Sequence, residues 1–203
     1  MPQCRELDVR DRRQATEVLA CQRAGYAVEA ELLGFDGIPP LHEALDELMH
    51  CGERFLGSYD EEGLAGIVSW ESLPDGTVDI CRLVVAPRAF RRGHATALLD
   101  ELDRAEPAGR FTVSTGTANV PALALYRNRG FVPVGIREVA QGVTVTILER
   151  AKTCRLVGPS AQESGLQGAS VGSLVVGRYD LLAAPCSASP PLPRSMVNLL
   201  AVP

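Results

Sequence analysis

The residues best placed to do chemistry lie where an apolar run gives way to an amphipathic pattern, in the stretch VVAPRAFRRGHATALLDEL. Pro87 cannot donate to a strand ladder, so it ends the apolar strand. Arg88, Arg91 and Arg92 follow, and Gly93 opens a helix. The first turn of a helix has backbone N–H groups without partners and carries partial positive charge. This combination favours a bound anion such as phosphate, and a solvated basic turn is the alternative.

Two common phosphate-binding motifs do not fit this turn. A P-loop requires a Gly-Lys pair after a first glycine, and no such pair occurs here. The dinucleotide fingerprint requires three spaced glycines, whereas the turn holds only Gly93. A regulator that holds another nucleotide phosphate through its arginines stays open as an alternative.

The elements that must position the turn alternate between strands and helices over residues 1–150. The run VDICRLVVAP is apolar on nearly both faces, which predicts a central, buried strand. RFLGSY and LAGIVSWESL flank a tight acidic turn and predict a hairpin. Apolar spacing predicts helices over residues 11–34, 41–52, 94–105 and 119–130. The fold class is therefore α/β, with a mixed sheet of six or seven strands flanked by helices.

The composition changes near residue 150. Residues 151–203 are rich in Ser, Gly, Pro and Ala, which predicts a low-complexity tail that is disordered or loosely attached. Residues 1–150 are predicted to form the single functional domain.

Charge, hydropathy and cysteine spacing exclude several classes of protein. A formal charge of −5 argues against nucleic acid as a partner. The chain has no run of 18 apolar residues, so we expect no membrane span, and its N-terminal residues lack the apolar core of a secretory signal. The six cysteines form no C-x-x-C pair, which favours reduced thiols in a cytoplasmic protein over disulfides or a metal site.

Two blocks of the chain resemble the GNAT family of acyl-CoA-dependent N-acetyltransferases. FRRGHA, residues 90–95, is similar to the family's [QR]-x-x-G-x-[GA] segment, with Phe90 in place of the usual Gln or Arg. NVPALALYRNRGF is similar to its N-x-x-A-x-x-x-Y-x-x-x-G-F segment. The blocks occur in the family's order, and the likeness covers roughly residues 5–150. It implies the GNAT fold and acetyl-CoA as co-substrate.

The resemblance also implies how the coenzyme would be held. The buried strand of such proteins splays from its neighbour, and the freed backbone of Leu83, Val84 and Val85 would pair with the pantetheine arm. Asn119 would contact the pantetheine or the thioester end, and a backbone N–H near Val84 would stabilise the oxyanion. The pyrophosphate would be bound by the residues of the turn and the helix start, which are Arg91, Arg92, Gly93, His94, Ala95 and Thr96.

Two side chains are implied to move protons. Tyr126 would act as the general acid that protonates the leaving thiolate, and a phenol that only packs on the sheet is the alternative. Asp79 lies 14 residues before Gly93, where related enzymes that act on histones carry a basic Glu. It would accept the proton of the amine, unless a chain of water molecules does so.

The sequence says less about the acceptor than about the coenzyme. Acidic residues between positions 29 and 47 would either attract a cationic amine or form the exposed faces of two helices; they are Glu29, Glu31, Asp36, Glu43, Asp46 and Glu47. We expect an enzyme, monomeric or homodimeric, that acetylates a primary amine of a small molecule or peptide in a ternary complex. Direct transfer is expected because no Cys or Ser sits in a recognisable nucleophile-and-base arrangement. A non-catalytic acyl-CoA sensor on the same fold is the alternative.

Overall fold

The computed structural model describes residues 2–35, 37–106 and 109–151. Along them the strands are β1 (Gln3–Leu7), β2 (Arg54–Asp60), β3 (Gly63–Ser72), β4 (Thr77–Val85), β5 (Arg110–Gly116), β6 (Val132–Ala140) and β7 (Val143–Ala151). The helices are α1 (Arg12–Leu33), α2 (Pro39–His42), α3 (Leu45–Met49), α4 (His94–Ala105) and α5 (Val120–Asn128). Apart from Ala151, the predicted tail lies outside the described residues.

The strands form one mixed sheet in the order β1-β2-β3-β4-β5-β7-β6. β4 and β5 are parallel, and every other neighbouring pair is antiparallel. A parallel pair needs a crossover connection, and α4 supplies it. The predicted mixed sheet of six or seven strands is confirmed, with seven.

β4 is the central strand, and all nine of its residues are buried. Helices α4 and α5 cover one face of the sheet through a core that includes Leu83, Leu98 and Tyr126. Helix α1 covers the other face through a second core that includes Tyr26 and Val84. A strand covered on both sides must be apolar on both sides, which is why its sequence reads as a nearly continuous apolar run.

β4 and β5 pair over only the first part of their length. Their ladder runs from Thr77 beside Arg110 to Ile80 beside Val113. Beyond these residues β4 continues against β3, and β5 continues against β7. The two central strands therefore diverge toward their carboxyl ends and leave a gap between them.

The gap begins at a bulge in β4. The register with β3 steps from Arg82 opposite Ser69 to Ile80 opposite Trp70, so Cys81 has no opposing residue. An extra residue of this kind bends its strand and increases the local twist. The bulge comes directly after the last pair with β5, so the bend accounts for the point at which the strands part.

The single helix predicted over residues 41–52 is wrong, because α2 and α3 are separated by Glu43 and Ala44. Glu43 has an extended backbone, turns its carboxylate to the buried Arg82, and accepts a hydrogen bond on its carbonyl oxygen from Arg23 Nη2 at 3.0 Å. Helical spacing in the sequence does not reveal a tertiary partner that draws one residue out of the helix.

Arg82 is a buried cation that ties three segments to β4. Its Nε and Nη2 atoms donate to the two carboxylate oxygens of Glu53, each at 2.9 Å. Its Nη1 atom donates to Gln22 Oε1 of α1 at 2.7 Å, and Nη2 donates to Glu43 Oε1 at 3.0 Å. Gln22 also donates to the carbonyl oxygen of Pro40 at 2.6 Å. These bonds fix α1 and α2 against the face of the sheet near the gap.

Two expectations from composition can be compared with the described residues. None of the helices among them combines the length and the apolarity needed to cross a membrane. The cysteines in the described part of the chain are free thiols, as expected of Cys4, Cys21, Cys51 and Cys81. Cys154 and Cys186 lie outside the described residues.

Replacement of Arg82 by Met should lower the free energy of unfolding by about 3–5 kcal/mol, because the buried carboxylate of Glu53 and the half-buried one of Glu43 would lose their cation. Chemical denaturation of the two proteins at neutral pH measures the difference. Arg110→Met is the control: Arg110 pairs with Glu149 at the surface, at 2.6 Å, and its loss should cost less than about 1 kcal/mol. Equal effects of the two substitutions would contradict the anchoring role of Arg82.

Candidate active site

The gap between β4 and β5 brings together two phenols from opposite faces of the sheet. Tyr26 belongs to the core under α1, and Tyr126 belongs to the core under α4 and α5. Both side chains are fully buried, and the two phenols interact electrostatically. A continuous ladder would keep the two layers apart, so this approach depends on the divergence of the strands. Burial raises the pKa of both phenols well above the ordinary value, so both are protonated at neutral pH.

A carboxyl and an amide complete the cluster, which we call the gap cluster: Tyr26, Glu29, Asn119 and Tyr126. Glu29 of α1 is 2% exposed, and its Oε1 atom accepts a hydrogen bond from Asn119 Nδ2 at 3.1 Å. Its Oε2 atom has no hydrogen-bond partner among the described residues. Burial raises the pKa of Glu29 to about 8, and the bond from Asn119 opposes that rise.

Asn119 is held in place by the backbone around it. It follows β5, and its N–H donates to the carbonyl oxygen of Gly116 at 2.9 Å. Its Oδ1 atom accepts from the N–H of Ala122 at 3.1 Å and so caps α5. One side of the amide therefore starts the helix that carries Tyr126, and the other side reaches Glu29.

The backbone of β4 offers hydrogen-bonding groups to the gap. The N–H of Ala86 donates to the carbonyl oxygen of Ala65 in the antiparallel register with β3. Because consecutive residues of a strand turn their backbone groups to opposite sides, Val84 also faces β3, whereas Leu83 and Val85 face the gap. Of the three residues predicted to hold pantetheine, these two are placed to pair with an extended ligand.

The turn after β4 leads into α4, whose first backbone amides have no acceptor within the helix. Arg91 and Gly93 have φ angles of 62° and 85°, and Gly93 has no side chain that could cap the helix. The N–H of Ala97 donates to the carbonyl oxygen of Gly93. The amides of residues 94–96 precede this first helical bond, so they have no acceptor within the helix.

The basic residues of the turn differ in what they contact. Arg88 Nη1 donates to both carboxylate oxygens of Asp60, at 2.7 and 2.9 Å, so Arg88 anchors the turn to β2. Arg91 and Arg92 are exposed beside the start of α4. The imidazole of His94 is buried, with Nδ1 at 2.8 Å from Ser58 Oγ, so its side chain is directed into the protein. Ala95 is half-buried and Thr96 is exposed.

Asp79 belongs to the paired part of β4 and not to the part that borders the gap. It stands opposite Thr112 in the part of β4 that is still paired with β5, and opposite Glu71 on β3. The carboxylates of Asp79 and Glu71 and the thiol of Cys81 lie within 4.8 Å of one another. These are donor types that metals accept, but burial raises the pKa of the Cys81 thiol and so favours its protonated form.

Sequence reasoning singled out neither Tyr26 nor Glu29 of the gap cluster, and Glu29 is the one that carries a carboxyl. It was grouped with five other acidic residues, of which Glu31, Asp46 and Glu47 are exposed, Glu43 bonds to Arg82, and Asp36 lies outside the described residues. The available signal was its position on the buried stripe of α1, formed by Ala15, Val18, Gln22, Tyr26 and Glu29. A carboxylate on such a stripe requires a partner or a task.

Comparisons with known proteins agree on the type of fold. Residues 22–131 match the Acetyltransferase (GNAT) family. UPF0157 protein YqkA of Bacillus subtilis (strain 168) is 39% identical over 134 residues, which are 66% of this chain and 39% of that protein. The chain thus spans about two fifths of the length of this curated relative.

Two solved structures show the same architecture. The PaiA N-acetyltransferase from Thermoplasma acidophilum, in complex with coenzyme A, is 15% identical, with a TM-score of 0.58 over 75% of this chain and 99% of its own. An acetyltransferase of the GNAT family from Streptococcus pneumoniae is 19% identical, with a TM-score of 0.57 over 75% of this chain and 100% of its own. At these identities the likeness concerns the fold. Since the family match covers more than half of the residues, and the sheet is the one these structures share, the chain belongs to the GNAT acetyltransferase family.

Proposed function

We propose that the chain is an N-acetyltransferase that moves the acetyl group of acetyl-CoA to a primary amine of a small molecule or peptide. The observation that carries the proposal is the gap between β4 and β5, which has a buried phenol, Tyr126, at its side. The first turn of α4, with its free amides, follows the end of β4. An extended thioester with a charged diphosphate matches these features in order.

The coenzyme would lie along the open side of β4. Its pantetheine arm would bond to the backbone of Leu83 and Val85, as an added strand does. Its pyrophosphate would accept hydrogen bonds from the amides of residues 91–96, with Arg91 and Arg92 adding charge. The bound coenzyme A of the Thermoplasma acidophilum relative supports this choice of ligand.

Transfer would take place at the inner end of the gap. A neutral amine attacks the thioester carbonyl carbon, and a backbone N–H of Leu83 or Val85 stabilises the oxyanion. The carbon–sulfur bond then breaks, and the phenol of Tyr126 donates its proton to the thiolate. The raised pKa of Tyr126 keeps it in the protonated form that this step requires. Asp79, implied by resemblance, stays a prediction for the base.

The acetyl group would pass directly from sulfur to nitrogen. An acetyl-enzyme intermediate needs an activated nucleophile. Cys81 lies nearest the gap along β4, but burial raises the pKa of its thiol and so disfavours the thiolate. A ternary complex is thus the simplest route. The cytoplasmic location, the monomeric or homodimeric state and the absence of a metal also stay predictions.

The double substitution Arg91→Ala/Arg92→Ala should weaken acetyl-CoA binding about 10²- to 10⁴-fold, because each of the two arginines would lose a charge-assisted hydrogen bond of about 1.5–3 kcal/mol and 1.4 kcal/mol is tenfold. Titration calorimetry at two salt concentrations measures the loss, which should shrink as salt screens the charges. Arg13→Ala, at an exposed pair with Glu17, is the control and should bind as the wild type does. Unchanged affinity in the double variant would exclude these arginines from the site.

Substitution of Tyr126 by Phe should lower kcat by about 10²- to 10⁴-fold while acetyl-CoA binds normally, because the proton donor is lost and the ring is retained. Release of free thiol over a panel of primary amines measures the rate. Tyr59→Phe is the control, since Tyr59 is another phenol without a hydrogen-bond partner among the described residues and lies on β2, two strands from β4.

Two results would contradict parts of this proposal. Wild-type rates in Tyr126→Phe would remove Tyr126 as the acid. Tight acetyl-CoA binding by the wild type without turnover on any amine would favour the acyl-CoA sensor over the enzyme.

A further inference from the structure

The one hydrogen bond that the Glu29 carboxyl accepts among the described residues does not account for its burial. Burying a carboxyl costs free energy unless hydrogen bonds compensate. Glu29 has one such bond, from Asn119 Nδ2, and its Oε2 atom has none among the described residues. The cap of α5 needs only the Oδ1 atom of Asn119, so Glu29 is not required to start that helix.

The groups around the Glu29 carboxyl indicate a role in the proposed reaction. Glu29 interacts electrostatically with Tyr126 on α5 and with Tyr26 on its own helix. It is therefore within electrostatic reach of the phenol that the proposed reaction uses, and its hydrogen bond to Asn119 places it at the start of the helix that carries this phenol. We propose that Glu29 is the general base of the acetyl transfer and that Glu29 and Tyr126 together carry the proton from the amine nitrogen to the sulfur.

The step balances with these two groups alone. The neutral amine attacks the acetyl carbon, and the nitrogen of the tetrahedral intermediate gives one proton to the Glu29 carboxylate. The carbon–sulfur bond breaks, and the phenol proton of Tyr126 moves to the sulfur. The protonated Glu29 then returns its proton to the phenolate. The products are the amide and coenzyme A thiol, and both side chains regain their starting states.

The position of Asp79 makes it less suited to this role. Asp79 stands in the paired part of the ladder, one residue before the ladder ends at Ile80. It is four residues from Leu83, which is about 13 Å along a strand. Its carboxylate lies within 4.8 Å of the donor atoms of Glu71 and Cys81.

A base at this site would give the rate a distinct dependence on pH. Burial raises the pKa of Glu29 to about 8, so the ionised form that accepts a proton becomes populated as pH rises through that value. The titratable groups that face it are Tyr26 and Tyr126, which stay protonated there. Arg82 on β4 and Glu53, the residue before β2, act in turn on Tyr26. The rate should therefore rise between about pH 7 and pH 9.

Burial of the Glu29 carboxyl should also make the folding stability depend on pH, which can be measured without any assay of activity. The native state holds a proton on Glu29 between its ordinary pKa of 4.5 and about 8, and the unfolded state does not, so the wild type loses stability as pH rises over that interval. Glu29→Gln should remove this loss and raise the Tm relative to the wild type by about 4 °C or more at pH 9, but little at pH 4. Equal Tm differences at both pH values would overturn the placement of a buried, titrating carboxyl.

The role itself is tested by single-turnover acetylation of an amine that the wild type accepts, over pH 6–9.5. The role of Glu29 rests on the acetyl transfer proposed above. Glu29→Gln should bind acetyl-CoA as the wild type does, react about 10²-fold more slowly, and lose the rise in rate near pH 8. Glu29→Asp, which keeps a carboxyl, should retain that rise at a reduced rate. Glu17→Gln is the matched control on the same helix, 12 residues away, and should match the wild type.

Each result separates the two proposals. No turnover by the wild type on any amine would reject the acetyltransferase, and the role of Glu29 with it. Turnover by the wild type with an unchanged rate and pH profile in Glu29→Gln would reject the role of Glu29 alone. An equal loss of acetylation rate in Glu29→Gln and Glu29→Asp would show that the side chain serves packing and not proton transfer. Loss of the rise near pH 8 in Asp79→Asn, with the rise retained in Glu29→Gln, would return the role to Asp79.

Discussion

The divergence of β4 from β5 is the constraint on which the rest of the molecule depends. A sheet interior normally satisfies every backbone N–H and C=O through its ladders. Here the ladder stops at Ile80 and Val113, and a bulge at Cys81 turns β4 aside. The backbone groups of Leu83 and Val85 then face a gap in the middle of the sheet. Such groups are placed to bond to an extended ligand, and Asn119 and Glu29, which come from the two helical layers, are hydrogen-bonded to each other.

The polar groups around the gap are held by the fold on both faces. Arg82 fixes α1 and the segment after α2 against β4, and α1 carries Tyr26 and Glu29. On the other face, Asn119 starts the helix that carries Tyr126. The buried ion pairs and the helix cap thus act on the reacting groups indirectly, because they position the helices that carry those groups.

The sequence allowed prediction of the parts of this arrangement that follow from local pattern. The apolar run of β4 predicted a central strand, and Pro87 and Gly93 predicted the turn into α4. The break between α2 and α3 was not predictable, because it depends on an ion pair between Glu43 and a strand 39 residues away. Glu29 was missed for the same reason: its helix position marks it as buried, but only the fold shows Tyr126 beside it.

Stability and chemistry place opposite demands on the gap cluster. Filling it with apolar side chains would remove the desolvation of Glu29 and of two phenols without hydrogen-bond partners among the described residues. What would be lost is a set of proton-bearing groups from both faces of the sheet, among them a carboxyl whose pKa burial raises to about 8. Perturbed groups of this kind gather where proteins do chemistry, because catalysis uses the interactions that folding alone would eliminate. In this chain the open ladder between β4 and β5 is what allows that cluster to form inside the sheet.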